Sequence, residues 1–283
     1  MTLATERSLP LRPGRPGKTH VVRGALQLEG ITVRFGADAV AVSGVSLAVE
    51  PGEFVCLLGP SGCGKSTLLN AVAGYVEPSE GRIRLDGAPV AGPGPDRGMV
   101  FQQYSLFPWK SVLENVAFGP RMSGHGRAEA RLLAGQFLDM VGLSGHARRY
   151  PAELSGGMQQ RVSIARALAN YPAVLLMDEP FGALDAQTRA MMQEALLSLW
   201  GQTGTTILFV THDIDEALFL ADRVVVMGTA PGRIVADLPI ALPRPRHADL
   251  VLDPAFLALK KRCLDLIRRE SLKAFDGQAG AGI

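Results

Sequence analysis

The apolar run Phe54–Leu58 is followed by Gly59, Pro60, Ser61, Gly62, Cys63, Gly64, Lys65, Ser66 and Thr67, and the residues from Ser66 to Ala73 have helical character. Buried strand, glycine loop and helix in that order make a strand–loop–helix unit, the context that the spacing G-x-x-x-x-G-K-[ST] requires of a phosphate loop. Glycines let successive backbone N–H groups turn inward around phosphate oxygens, and the helix N-terminus adds favourable positive potential. Lys65 is then expected to reach the β- and γ-phosphates of a nucleotide, and Ser66 to ligate Mg²⁺. A glycine-rich turn ahead of an ordinary helix would be the bland alternative.

The second half of such a site is expected from Val174-Leu-Leu-Met followed by Asp178 and Glu179, an apolar strand ending in two carboxylates. Asp178 can join the Mg²⁺ shell, and Glu179 can polarise the attacking water as general base. Around these motifs the texture is α/β. Short β-rich runs, Leu26–Leu28, Ile31–Phe35 and Val45–Val49, are punctuated by glycines and predict a small antiparallel sheet. Strands are expected at Arg82–Leu85, Gly98–Phe101, Thr206–Val210 and Val224–Val226. Helical periodicity covers Ser111–Phe118, Ala128–Val141 and Gly157–Asn170, then about 186–201 and Asp213–Leu220. The alternation predicts a largely parallel sheet with a helical insertion. Asp253 before Pro254 predicts the start of an amphipathic helix over about 254–270, with the residues from Gly277 to Ile283 frayed.

Composition excludes several classes. In 283 residues the formal charge is +2, with 47% hydrophobic and 20% charged residues, so neither a polyanion binder nor a disordered chain is indicated and no nucleic-acid partner is expected. The three cysteines lack metal-ligand spacing, which fits a reduced, cytosolic compartment. No apolar run approaches the roughly 20 residues of a membrane span. Residues 1–24 read as a flexible basic tail without the apolar region of a secretory signal. His20, His125, His146 and His247 are expected at the surface. Cys63, beside a helix N-terminus, is expected to have a lowered pKa and to react with maleimide unless MgATP protects it. Leu132, Phe137, Met140 and Val141 form a stripe that reads as core packing or as a docking face, and periodicity favours core.

Leu154-Ser155-Gly156-Gly157-Met158-Gln159-Gln160-Arg161 precedes a helix and is a second phosphate-friendly turn. It resembles the signature of ABC ATPases, departing from the commonest form by Met158 in the glutamine position. The resemblance covers residues 25–240 and implies the ABC ATPase fold: a P-loop NTPase core (25–101 and 169–240), an antiparallel β subdomain and an inserted α-helical subdomain (102–168), with 241–283 as a C-terminal extension. Gln102 matches the glutamine that touches Mg²⁺ and the attacking water, with Gln103 as the alternative register. Ala183-Leu184-Asp185 resembles the D-loop, and His212 matches the histidine that contacts the γ-phosphate. Phe35 stands where the family places an aromatic ring against adenine, core packing being the alternative.

The resemblance implies ATP and Mg²⁺ as ligands and a site completed across a homodimer. In it Lys65, Ser66, Gln102, Asp178, Glu179 and His212 of one copy face Ser155 and Gly157 of the other. It further implies two transmembrane permease subunits, an extracytoplasmic solute-binding protein, and a place on the cytoplasmic face of the membrane. Non-transport members of the family carry long heptad arms or two fused nucleotide domains, and the stretch from Ser66 to Leu154 has no heptad array. A kinase or GTPase would have no use for the Leu154–Arg161 segment. Leu106-Phe-Pro-Trp109 through Val116, with Met158, is similar to importers of nitrate, alkanesulfonates and taurine.

Overall fold

The computed structural model describes residues 24–36, 39–229 and 231–279. The expected basic tail up to residue 23, with His20, and residues 280–283 lie outside them. The chain runs β1 (Leu26–Phe35), β2 (Ala39–Val49), β3 (Phe54–Leu58), α1 (Lys65–Ala73), β4 (Glu80–Leu85), β5 (Ala88–Pro89), β6 (Arg97–Val100), α2 (Val112–Met122), α3 (Arg127–Met140) and α4 (Gly156–Leu168). It continues with β7 (Val174–Asp178), α5 (Ala186–Thr203), β8 (Thr206–Thr211), α6 (Ile214–Leu220), β9 (Arg223–Gly228), β10 (Arg233–Pro239) and α7 (Pro254–Ala279).

β3 organises the molecule. All five of its residues are buried, and it lies between β9 and β8 in a six-stranded sheet of order β10-β9-β3-β8-β7-β6. The sheet is parallel except for β10, which pairs antiparallel with β9. A parallel sheet must be covered on both faces, which is why β3 and the middles of β7, β8 and β9 are apolar runs. Alternate residues of β3 enter different cores: Phe54, Cys56 and Leu58 pack with the helical side, whereas Val55 and Leu57 pack with α1 and the antiparallel sheet. Each such side chain contributes about 1.5–3 kcal/mol by leaving water. The loop that leaves β3 therefore starts from a rigid anchor.

The second sheet, β2-β1-β4-β5, is antiparallel, as expected from the sequence. The runs 26–28 and 31–35 are not separate strands. Gly30, at φ 62°, sits in an irregularity of a single strand whose pairing with β2 resumes at Ile31. A left-handed glycine bulges the ladder without ending it. β10 had no counterpart in the sequence reading, because an edge strand carrying Arg233, Asp237 and Pro239 has the polar composition of a loop.

α2, α3 and α4 pack together between β6 and β7 in chain order, with Phe137, Leu138, Val116 and Val162 in their shared core. Phe137 and Val141 are core, but Leu132 is 66% exposed and leaves the expected stripe, its place inside being taken by Leu133 and Ala134. His125 and His146 are half-buried rather than surface residues, and His247 is exposed. α7 starts as expected, with the Asp253 carboxylate accepting from Ala255 N at 2.7 Å, but it runs on through Gly277 to Ala279 instead of fraying there. No described helix is long and apolar enough to cross a membrane.

Candidate nucleotide site

Gly59–Thr67 sits between β3 and α1 and is held by close packing from behind. A β-carbon at Gly59 would lie 2.5 Å from the Met227 carbonyl oxygen, and one at Gly64 would lie 2.8 Å from Ala41 O and from Val42 Cγ2. Gly64 also has φ 85°, a left-handed conformation that only glycine adopts cheaply. Gly59 is thus required by close approach, and Gly64 by close approach and backbone conformation together. Gly62, φ 79°, and Ser61 form the exposed tip, Pro60 is half-buried, and Thr67 lies half-buried in the first turn of α1.

The loop is electropositive by construction. α2, α4, α5 and α6 each begin on a side chain that accepts a first-turn N–H: Ser111, Ser155, Asp185 and Asp213. α1, like α3, begins on a glycine without a side-chain cap, so its first-turn donors are left for another acceptor. Lys65 is only 4% exposed, and its Nζ donates to Gly59 O at 2.8 Å and Pro60 O at 2.9 Å. Among the described residues no carboxylate pairs with it. A buried ammonium without a counter-charge is expensive, and an anion bound at this loop would supply one.

Cys63 corrects an expectation. It is fully buried beneath the loop, with Lys65 Nζ 3.7 Å from its Sγ. Burial pushes its thiol pKa up, and the neighbouring ammonium only partly offsets this. All three cysteines are buried. Native protein is thus expected to resist maleimide with or without MgATP over a period in which denatured protein labels fully. Intact-mass spectrometry showing rapid native modification of Cys63 would contradict this.

Across the loop, Ser66 Oγ donates to Asp178 Oδ1 at 2.8 Å. Burial raises the Asp178 carboxyl above its usual range and the Glu179 charge adds to this, while the Ser66 hydrogen bond and Lys65 pull it down. Glu179 follows β7 with φ 42°, a conformation rare for a side chain larger than glycine and typical of functional turns. Its backbone N–H is tied to Val210 O at 3.0 Å, and its Oε2 lies 3.1 Å from His212 Nδ1. The two residues are 33 positions apart in sequence and meet because β7 and β8 are adjacent and parallel.

Gln102 reaches the same place from β6. A β-carbon at Gly182 would be 3.9 Å from Gln102 Nε2 and 4.0 Å from Glu179 Oε2, so Gly182 is flanked by both. Sequence reading did not mark Gly182, which carries no motif of its own. The backbone carbonyl of Gln103 accepts from Ser105 Oγ. Phe35 is 52% exposed and outside the core, which removes the packing alternative.

Ser155, Gly156 and Gly157 open α4. Ser155 is exposed and caps Met158 N, while a β-carbon at Gly156 would meet Tyr104 Oη and one at Gly157 would meet Thr188 Cγ2, each at 2.7 Å. Among the described residues no hydrogen bond joins this turn to Gly59–Thr67 of the same chain. Asp185 caps α5 by accepting from Thr188 N at 3.0 Å, which holds its carboxyl below the usual range.

A phosphate loop after the central strand of a parallel sheet, faced by a carboxylate pair, defines a P-loop NTPase. Residues 42–182 match the family model described as ABC transporter. The chain is 53% identical over 246 residues to a taurine import ATP-binding protein of Chromobacterium violaceum, covering 85% of this chain and 94% of that protein. It is 49% identical over 237 residues to a nitrate import ATP-binding protein of Synechococcus elongatus, covering 81% and 85%. A dimeric ATP-binding cassette solved in a post-hydrolysis state with ADP and Pi superposes with a TM-score of 0.68 at 33% identity, covering 77% of this chain and all of that one. The chain belongs to the ABC transporter ATP-binding proteins and is an ATPase that binds ATP.

Proposed function

We propose that two copies of this chain sandwich two ATP molecules on the cytoplasmic face of a membrane and power uptake of a small sulfonate or oxoanion through two permease subunits, with an extracytoplasmic solute-binding protein delivering the cargo. The observation that carries the ATP half of this reading is the buried Lys65 at an uncapped helix start, without a carboxylate partner among the described residues, next to Ser66, which bonds Asp178. The cargo half rests on relatives named for taurine and nitrate import.

In this reading the loop N–H groups and Lys65 hold the β- and γ-phosphates, and Phe35 stacks on the adenine. Ser66 and Asp178 present two hard oxygens beside the loop, a donor set that suits Mg²⁺ shared with phosphate rather than a softer metal. Among the described residues no cluster of three or more histidine, cysteine or acidic side chains offers another metal site. Gln102 completes the set. Mg²⁺, when bound, neutralises charge developing on the phosphate oxygens.

Glu179 takes the proton of the attacking water, Gln102 orients that water, and His212 holds Glu179 in place until the γ-phosphate competes for it. Ser155 and Gly157 of the second copy close over that phosphate, and Asp185 of the D-loop lies at the junction. ATP contacting both copies biases an open–closed equilibrium, and hydrolysis removes the bias. The test is co-purification with the membrane subunits and ATP-dependent uptake of taurine or nitrate into proteoliposomes. Complexes that hydrolyse ATP without moving either solute would refute the cargo class and leave the ATPase intact.

A further inference from the structure

We infer that Glu270 on α7 is a positioning residue for the phosphate loop, acting through Arg233 and the turn between β9 and β10. This rests on the reading that Gly59–Thr67 holds the ATP phosphates. Glu270 is 1% exposed, on the face of α7 that otherwise presents Phe256, Leu259, Cys263, Leu266 and Ile267 to the core. Replacing a buried ion pair by apolar side chains is often neutral or stabilising, so stability alone gives no reason for a carboxylate here.

Its contacts lead to the nucleotide site in two short steps. Glu270 Oε2 accepts from Arg233 Nη2 at 2.8 Å, and Oε1 accepts from Lys273 Nζ at 2.7 Å. The carboxylate also lies against Gly228, where a β-carbon would collide with Oε2. Arg233 closes the turn: its Nη1 donates to Thr229 O at 2.8 Å and to Pro231 O at 3.4 Å.

The far side of the turn touches the phosphate loop itself. Gly232 N donates to Ala41 O at 3.0 Å, Ser43 N donates to Gly232 O at 2.9 Å, and a β-carbon at Gly232 would overlap the Cys63 carbonyl oxygen. At the other end of the loop, Met227 O fills the space where Gly59 lacks a side chain. Backbone packed on backbone has no slack, so a shift of the turn is passed to the loop rather than absorbed. The planar guanidinium, with five donors in a fixed fork, is the side chain able to hold both the turn carbonyls and the carboxylate.

The experiment measures equilibrium binding of a fluorescent ATP analogue to the full chain, with ATPase KM and kcat alongside, at temperatures well below each variant's melting point. Glu270→Gln keeps the shape and removes the charge. Its dissociation constant and KM for ATP are expected to rise about three- to tenfold, the range of residues that modulate a site without touching its ligand, while kcat at saturation changes less. Arg233→Lys should give a similar rise, and the double variant should be no worse than either, because both act through one turn. Lys273→Ala, which removes only the exposed partner of Glu270, should bind like wild type. Wild-type affinity in Glu270→Gln or in Arg233→Lys, whatever happens to the melting temperature, would overturn the inference. Failure of the wild type to bind nucleotide would instead sink the assignment of the loop.

Discussion

Lys65→Ala is expected to lower ATP turnover by about 10²–10³-fold or more, the loss seen when one preorganised donor to developing charge is removed, while the fold persists. The fold should persist because Lys65 contributes no apolar packing at its charged end. Its ammonium donates to the loop carbonyls of Gly59 and Pro60 and to the Cys63 sulfur. Removing a buried cation that lacks a carboxylate partner also relieves a desolvation cost. Ligand-linked stability separates this from misfolding. At ATP concentrations near 100 times the dissociation constant, wild type gains about 2.7 kcal/mol, or about 5–10 °C in melting temperature for a chain of this size. Lys65→Ala should melt near the wild-type temperature without nucleotide and lose that ATP-dependent shift. Phosphate release at near wild-type rates would refute the assignment of Gly59–Thr67 as the phosphate loop.

The phosphate loop and the Asp178–Glu179 pair were legible because their chemistry depends on contiguous residues, and spacing along a chain is what a sequence displays directly. The parallel sheet was legible for a related reason: β3, Val174–Met177 of β7 and Ile207–Val210 of β8 are buried on both faces and so read as apolar runs. The state of Cys63 was not legible. Its position beside a helix start argues for a lowered pKa, but the decisive influence is burial in a core shared with Val42 and Met227, residues distant in sequence. Leu132 failed for the opposite reason, since helical period marks a face of α3 but not how wide the core is that receives it. β10 and the inward-facing Glu270 escaped because a polar edge strand and a lone glutamate on a basic helix have no local signature. Both make sense only once α7 is seen lying against β9.

Glu179→Gln tests the carboxylate pair and the dimer together. The substitution keeps size and the left-handed turn but removes the base, so hydrolysis is expected to slow by about 10²–10⁴-fold, the usual contribution of a positioned general base. Binding should survive, because the phosphates are held by the loop and Lys65, and the introduced amide would still hydrogen-bond His212. ATP is then not consumed, and a closed dimer should accumulate that light scattering reads as a doubling of mass. A hydrolase complete within one chain would lose activity with no change of mass. The turn at Ser155 decides between them: it is exposed, among the described residues it makes no hydrogen bond to the phosphate loop of its own copy, and the proposed contact with the γ-phosphate is made by a second copy. Adding Ser155→Arg places a bulky side chain in that turn without disturbing the core, since α4 loses only one cap, about 1 kcal/mol. The double variant should remain folded, bind ATP and stay monomeric. Dimerisation of the double variant with ATP would show that Ser155–Gly157 is not the part of the site contributed by the partner.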